Sequence, residues 1–515
     1  DATFTAYVLK EYKTPTVSVM SLFIIACIFI ITVLYLISTV IKPSNYPPGP
    51  SRLPIVGNTF LIKKLSKELG GQFKALLKLH EDYKSNIIGL KLGGDQYVVV
   101  FGRKLVQQVF TKDEFQGRPD GFFIRLRTMG TKKGITMTDG KLWHEQRNFA
   151  ERQLRQLGFG KLVTENLIKD ELNKLLNSFG EKQEDISLNQ KLSSAFLNVL
   201  WTITGGKQFS KDDDKLPALL NLLRERSKAF DMAGGLLNQL PWLRFIAPDY
   251  CGYTCIQRLN SKLYELFQEI IDEHKRTITN ETRDFVDAYL HEKESANPDT
   301  STFTDDQLVA ICLDFFIAGA LTTSYTLDFA VLATVSHPHV QQKLHEEIDK
   351  VLKRKQMPSI EDKFKLPYVE ALLLESQRFQ HVVPTAGPRR VLKDTTLDGY
   401  RIPKDTIVLM SLRSIHYDQQ RWSDPEVFRP ERFLTEDGQL IPDEGLCTFG
   451  LGKRRCPGEI LAKSFLFMAF TALFNHYKIT FPPGKEPSSK IPAAGILLTP
   501  QPYSVNLQAR GDYDL

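Results

Sequence analysis

Cysteine is scarce in this chain. Six residues in 515 (Cys27, Cys251, Cys255, Cys312, Cys447 and Cys456) are too few and too scattered to staple a fold. No charge of one sign dominates either: 66 Lys and Arg against 60 Asp and Glu leave a net +6. Over this length such a balance gives no sign of nucleic acid as a partner, although it leaves room for a local basic face. Internal repeats and long low-complexity linkers are absent, so neither a solenoid nor a string of tethered modules is expected. What the chain has is apolar bulk. With 42% hydrophobic residues it can fill a large core, which excludes wholesale disorder.

Charge is missing altogether from Val17 to Ile41, a 25-residue run rich in Ile, Val, Leu and Phe. About 20 helical residues cross the hydrocarbon layer, so this run spans it with room to tilt. It is too long for the apolar part of a cleavable signal and lacks the polar stripe of a core helix. Lys10 and Lys13 precede it, whereas Lys42, Arg52, Lys63, Lys64 and Lys67 follow, which places the remainder in the cytosol. The predicted organisation is a luminal segment 1–16, an anchor 17–41, a hinge 42–58 around Pro47-Pro48-Gly49-Pro50, and a globular domain 59–515. In the cytosol the acceptor Asn280-Glu281-Thr282 never meets its glycosylating enzyme, and Cys251 and Cys255 are read as reduced thiols. Arg510-Gly511-Asp512 is read as a chance triplet.

Periodicity predicts helices at Leu216–Phe230, Leu259–Lys275, Gln307–Ser336, Pro338–Leu352 and Gly458–His476. Thr304-Asp305-Asp306 is the cap that opens the longest of them. Strand-like runs occur at Ile87–Phe101 and Thr396–Leu412. The fold class is therefore mainly α with a minor β-sheet, behind one N-terminal transmembrane helix.

The most informative segment is Phe449-Gly450-Leu451-Gly452-Lys453-Arg454-Arg455-Cys456-Pro457-Gly458. Glycines allow tight turns, cations flank a cysteine, and a predicted helix begins directly after it. Positive charge and a helix N-terminus both favour a thiolate at Cys456. The run resembles F-x-x-G-x-R-x-C-x-G, the haem-ligand loop of cytochromes P450. Other stretches fit that family in chain order. Trp143-His144-Glu145-Gln146-Arg147 resembles its W-x-x-x-R, and Phe428-Arg429-Pro430-Glu431-Arg432-Phe433 its P-E-R-F segment. Glu375-Ser376-Gln377-Arg378 resembles its E-x-x-R, where one-turn spacing lets acid and base pair on a helix face. The resemblance covers nearly the whole chain. It is to animal microsomal members, especially the steroid- and drug-oxidising group and its juvenile-hormone-epoxidase-like relatives.

That resemblance implies the P450 fold, with residues 59–515 as a catalytic domain holding haem b through Cys456 as axial ligand of the iron. It implies that Arg118, Trp143, Arg147, Arg389 and Arg454 meet the two propionates, which need cations or donors once out of water. Phe449 would pack over the sulfur, and Glu375, Arg378 and Arg432 would form a structural trio behind the loop. In the long helix, Ala318-Gly319-Ala320-Leu321-Thr322-Thr323 resembles A-G-x-[D/E]-T-[T/S]. Ala318 and Gly319 would let haem and dioxygen approach the backbone, and Thr322 would help deliver protons. Leu321 stands where the family usually has an acid. Two readings stay open there. Water and Thr322 suffice for ordinary monooxygenation, or the chain runs a specialised reaction such as aldoxime formation, dehydration or rearrangement.

Family comparison puts the substrate around Phe122 and Phe123, Phe315 and Phe316, Val383 and Thr385, and Ile496 and Leu497. Such an apolar, partly aromatic lining suits a small lipophilic molecule arriving from the bilayer. No flavin or nicotinamide fingerprint occurs in these 515 residues, so electrons are expected from another protein. The expected donor is NADPH-cytochrome P450 reductase at the endoplasmic reticulum membrane, with cytochrome b5 as a further partner. Arg147, Arg152, Arg155, Lys453, Arg455 and Lys463 would form its docking face. The expected reaction inserts one atom of O2 as a hydroxyl or epoxide. A haem sensor or carrier without turnover is the other class, and the retained Thr322 and basic face argue against it.

Overall fold

The computed structural model describes residues 19–209, 215–297, 299–441, 445–487 and 492–511. The predicted luminal segment 1–16, the first two residues of the span and Asp512 lie outside the described residues. Val19–Val40 is one helix of 22 residues, about 33 Å long at 1.5 Å per residue. Its side chains stand outside the folded body; Phe23, Phe29 and Ile31 are each about two-thirds exposed. A helix apolar on every side belongs either inside protein or inside hydrocarbon. The second apolar helix, Asp305–Val335, takes the first course and is mostly buried.

The prolines after the anchor are not a free spacer. Pro47 and Pro50 are buried, and Gly89 N donates to Pro48 O at 2.7 Å. A Cβ on Gly49 would stand 2.1 Å from Gly89 O, so the segment lies directly on the first strand. Lys91 Nζ reaches back to Thr39 O at 2.8 Å and ties the end of the anchor to the same sheet.

That sheet has four strands in the order Ile87–Leu92, Asp95–Val100, Ile407–Ser411, Thr385–Arg390. The first pair is an antiparallel hairpin, and the second and third strands run parallel. Alternate residues go to opposite faces. Val98, Val100, Val408 and Met410 enter one apolar cluster; Tyr97, Val99, Ile407 and Leu409 enter another. The run predicted at Thr396–Leu412 thus splits, because Thr395–Leu397 and Tyr400–Ile402 form a separate hairpin before Ile407–Ser411 joins the main sheet. A three-stranded sheet of Lys182–Ile186, Val505–Ala509 and Tyr477–Thr480 was not foreseen. Lys-Gln-Glu-Asp-Ile has no apolar alternation to announce it.

All five predicted helices form, as Lys215–Ala229, Tyr253–Thr277, Asp305–Val335, Pro338–Val351 and Glu459–His476. Thr304 caps the longest by accepting from Gln307 N at 3.2 Å. Asp305–Val335 and Glu459–His476 are apolar on all sides and run through the largest core cluster. Asn189–Gly205 packs closely on the long helix at Gly319, where an added Cβ would meet Leu200 Cδ2 at 2.4 Å.

Candidate functional site: a thiol and a set of arginines on one cavity

The loop that carries Cys456 folds back on itself. Gly450 N donates to Cys447 O at 3.0 Å, and Cys456 N donates to Phe449 O at 2.9 Å. At Gly452 the backbone is left-handed (φ +71°) and an added Cβ would lie 2.6 Å from Phe110 O. Glycine is required there on both counts. The helix Glu459–His476 starts directly afterwards, with the Gly458 N–H aimed at the sulfur.

Cys456 opens onto a cavity yet sits deep within the protein. Burial raises its thiol pKa, and the Gly458 N–H, Arg147 and Arg455 pull downward without overcoming it. The helix start and the cations thus act in the expected direction, and burial outweighs them. Arg455 is engaged by Glu459 at 2.5 and 2.7 Å, and Arg147 by Glu151 and the Arg455 carbonyl. A metal ion coordinated by this sulfur would fix it as thiolate outright.

The cavity has two lobes that share Ala318, Thr322, Val383 and Cys456. The inner lobe, about 320 Å³, lies between the cysteine loop, the long helix and Glu459–His476. The outer lobe, about 390 Å³, reaches towards the helix Lys215–Ala229 and the strand region near Ile496. Along the long helix Phe315, Ala318, Gly319, Thr322, Thr323 and Thr326 face the inner lobe, a stripe at the 3.6-residue period. Thr322 Oγ1 donates to Ala318 O at 2.7 Å. Gly319 borders the cavity, but its missing Cβ serves the contact with Leu200, so the approach that both small residues were expected to allow falls to Ala318.

Arg118, Arg389 and Arg454 line the inner lobe, and among the described residues none pairs with a carboxylate. Arg118 Nη1 bonds Gly387 O and Pro388 O at 3.1 and 2.6 Å, and Arg454 Nη1 bonds Thr138 O at 2.7 Å. Among the described residues, the buried Nε and Nη1 of Arg389 find no partner, and the Nε atoms of Arg118 and Arg454 are orphaned too. Burial and mutual repulsion push Arg389 down to about 7, Arg454 to about 9 and Arg118 to about 10. Asp139, whose charge reaches Arg118 and Arg454, is already bonded to Arg390 Nη2 and Arg118 N at 2.9 and 2.8 Å. Orphaned guanidinium donors beside a sulfur that could ligate a metal fit a group with two carboxylates and a central iron, which is haem. Trp143 lies under Arg454 at 3.9 Å from ring centre to guanidinium carbon, and Arg147 borders the outer lobe. Phe449 lines the inner lobe beside the cysteine, with Lys463 Nζ 5.3 Å from its ring centre.

Of the expected substrate residues, Phe123, Phe315, Val383, Ile496 and Leu497 line the outer lobe. Three do not line either lobe. Phe316 is fully buried among Trp201, Phe209 and Phe267, on the opposite side of the helix from Ala318. Thr385 is a buried strand residue paired with Ser411. Phe122 packs outward against Tyr253 and Arg244. Sequence reasoning also missed cavity residues: His381, His416 and Thr448 in the inner lobe, Arg127, Arg226 and Asp314 in the outer. A lone His or Arg far from any motif carries no spacing signal.

Behind the loop, Arg378 meets both oxygens of Glu375 at 2.7 and 2.9 Å, and Arg432 Nε meets Glu375 Oε1 at 3.0 Å. The expected basic face is less bare than its sequence. Arg147, Arg152, Lys453, Arg455 and Lys463 pair with Glu151, Glu292, Asp113, Glu459 and Glu459 respectively. Among the described residues only Arg155 of the six has no acid partner.

Comparison with known proteins agrees with this geometry. Residues 47–507 match the family model described as Cytochrome P450. The chain is 42% identical to "Probable cytochrome P450 305a1" of Drosophila melanogaster, over 95% of this chain and all of that one. It is 36% identical to "Farnesoate epoxidase" of Bombyx mori, over 92% and 96% of the two chains. To "Cytochrome P450 2J5" of Mus musculus it is also 36% identical, over 92% and 94%. With a matching fold, a cysteine in the loop that resembles the family's and relatives aligned nearly end to end, the chain belongs to the cytochrome P450 family of monooxygenases.

Proposed function

We propose that this chain inserts one oxygen atom from O2 into a small lipophilic substrate, by hydroxylation or epoxidation, using NADPH electrons delivered by a separate reductase. One observation carries the reading: Cys456, three acid-free arginines and the Ala318–Thr322 helix face converge on a single cavity. Haem b bound there supplies oxygen activation at an iron whose thiolate ligand donates electron density.

The chain's own residues do the rest. Arg118, Arg389 and Arg454 would hold the propionates, with Trp143 bracing Arg454 and Arg147 fixing the Arg455 carbonyl. Phe449 would shield the sulfur, and its carbonyl holds the Cys456 N–H. Ala318 leaves the helix bare beside the sulfur's cavity. Thr322 Oγ1 keeps its proton on Ala318 O at 2.7 Å, on the wall where oxygen would react. Phe123, Phe315, Val383, Ile496 and Leu497 exclude water and hold the apolar substrate. Glu375, Arg378 and Arg432 would fix the backbone behind the loop.

The exposed apolar helix supports residence at the endoplasmic reticulum membrane, with the P450 domain in the cytosol and a lipophilic substrate drawn from the bilayer. Microsomal reductase is the proposed donor, with cytochrome b5 as a further partner. The silkworm relative is named for epoxidising farnesoate, which keeps epoxidation beside hydroxylation. Reconstitution with reductase and NADPH against a panel of lipophilic compounds tests the proposal. The expected result is NADPH-dependent oxygenated product and a Soret band of sulfur ligation under carbon monoxide, lost in Cys456→Ala. Product formed without NADPH overturns the monooxygenase reading in favour of a rearrangement or dehydration.

A further inference from the structure

The outer lobe holds two arginines beyond those near the sulfur, and they differ. Arg127 has its acid: Asp314 Oδ1 lies 2.6 Å away and both are buried. Arg226 has none. It projects from the helix Lys215–Ala229 into the lobe, its guanidinium carbon 5.8 Å from the centre of the Phe123 ring. Among the described residues no hydrogen bond or ion pair engages it.

The lobe's other acid, Asp231, is already taken. It accepts from Ala233 N and Gly235 N at 2.8 and 3.0 Å, and burial raises its pKa towards the neutral form. Burial and the nearby Arg127 push Arg226 down to about 9, so it remains a cation at neutral pH. A guanidinium held in an apolar cavity with no carboxylate is costly unless a ligand supplies one. Arg226 shares with Arg118, Arg389 and Arg454 the lack of an acid partner among the described residues, and it lies in the part of the lobe where a substrate would bind.

We infer that Arg226 is the carboxylate anchor of the substrate pocket and that the preferred substrates are lipophilic monocarboxylates. The acid end meets Arg226, and the apolar chain runs along Phe123, Phe315 and Leu497 towards Ala318 and Cys456. This assignment rests on the monooxygenase reading for its meaning, and its test is separable from that reading.

The test compares dodecanoate with methyl dodecanoate at neutral pH on the full haem-loaded chain. Binding is read by equilibrium dialysis of radiolabelled ligand, which needs no haem signal, and in parallel by the haem spin-state shift. The acid is expected to bind about tenfold or more tightly than its ester in the wild type. Arg226→Gln should erase that ratio by weakening the acid far more than the ester, and Arg226→Lys should retain part of it. Equal affinities in the wild type, or an unchanged ratio in Arg226→Gln, overturn the assignment. Loss of the sulfur-ligated Soret band would instead overturn the monooxygenase reading, because the dialysis ratio reports Arg226 by itself.

Discussion

Two sets of arginines flank the cysteine loop and are built on opposite terms. Behind it, Arg378 and Arg432 converge on Glu375, and Arg378 also reaches the carbonyls of His416 and Pro425 at 2.8 and 2.9 Å. Glu375 and Arg378 are fully buried, and their desolvation is offset inside the protein. In front of the loop, Arg118, Arg389 and Arg454 repel one another and, among the described residues, lack a carboxylate and leave donors orphaned. Their desolvation is offset only by something bound. Both sets are arginine-rich and buried; the presence of an acid separates scaffold from recognition.

The sharpest way to break that contrast is to remove the acid. Glu375→Ala leaves two buried guanidiniums facing each other, a loss expected to cost about 3–5 kcal/mol. That is a large share of a domain's whole stability. Denaturant titration should show the drop, and haem-loaded protein should be scarce on expression. A variant as stable as the wild type would mean the trio is not the scaffold described here.

At the front the expected sign reverses. Arg389→Met removes an unpaired cation, so the haem-free chain should melt at a higher temperature than wild type. The same change removes charge-assisted donors to a propionate, so transfer of haem to an acceptor apoprotein should speed up about tenfold or more. A haem-free chain that melts lower would erase the distinction between the two sets.

His416 joins the two sides and brings pH into the comparison. Its carbonyl accepts from Arg378, and its ring Nε2 accepts from Cys447 N at 3.2 Å, which requires a neutral ring. Burial, then Arg378 and Arg413, push its pKa down to about 3. Unfolded histidine titrates near 6.5, so between about 3 and 6.5 the unfolded chain binds more protons. Stability should therefore be level above pH 6.5 and fall below it, by about 2 kcal/mol at pH 5. Denaturation midpoints at several pH values check this, and His416→Gln should flatten the slope. His381, its ring 5.0 Å away and its pKa also depressed by burial, should sustain the remainder.

Much of this was legible in the sequence, for a physical reason. The anchor, the long helix and the Glu459–His476 helix announce themselves because an apolar run has one meaning at each length. The cysteine loop is legible because its glycines, cation and thiol must stand at fixed offsets for the backbone to turn at Gly450 and Gly452. What stayed hidden depends on partners far apart in the chain. Phe315 and Phe316 are chemically equal neighbours, yet only the first faces the cavity, since a 100° turn separates them. Nothing in the sequence distinguishes Arg127, paired with Asp314 across 187 residues, from the unpaired Arg226. The acids beside the expected docking face were hidden in the same way; they pair Arg152, Lys453, Arg455 and Lys463, and the first three nonetheless stay exposed beside Arg155.

The smallest effect is expected at Leu321, where the family usually carries an acid. Leu321 is buried and lines the outer lobe that Arg127 and Arg226 also line. Had losing the acid redirected the reaction, restoring it as Leu321→Glu would change the products and raise coupled turnover by about 100-fold, the usual scale of a proton-transfer group. The geometry points to a slighter change. Thr322 already places a hydroxyl on this wall, and a carboxylate introduced beside it enters a lobe whose uncompensated group is a cation. The variant should keep its products and hold turnover of a neutral substrate within about threefold. Its preference for dodecanoate over the methyl ester should fall, because the lobe then carries an acid of its own. Product analysis and the binding ratio together decide the matter: new products would show that the leucine sets the reaction, and a lower ratio alone would show that the lack of an acid at this one position serves substrate choice.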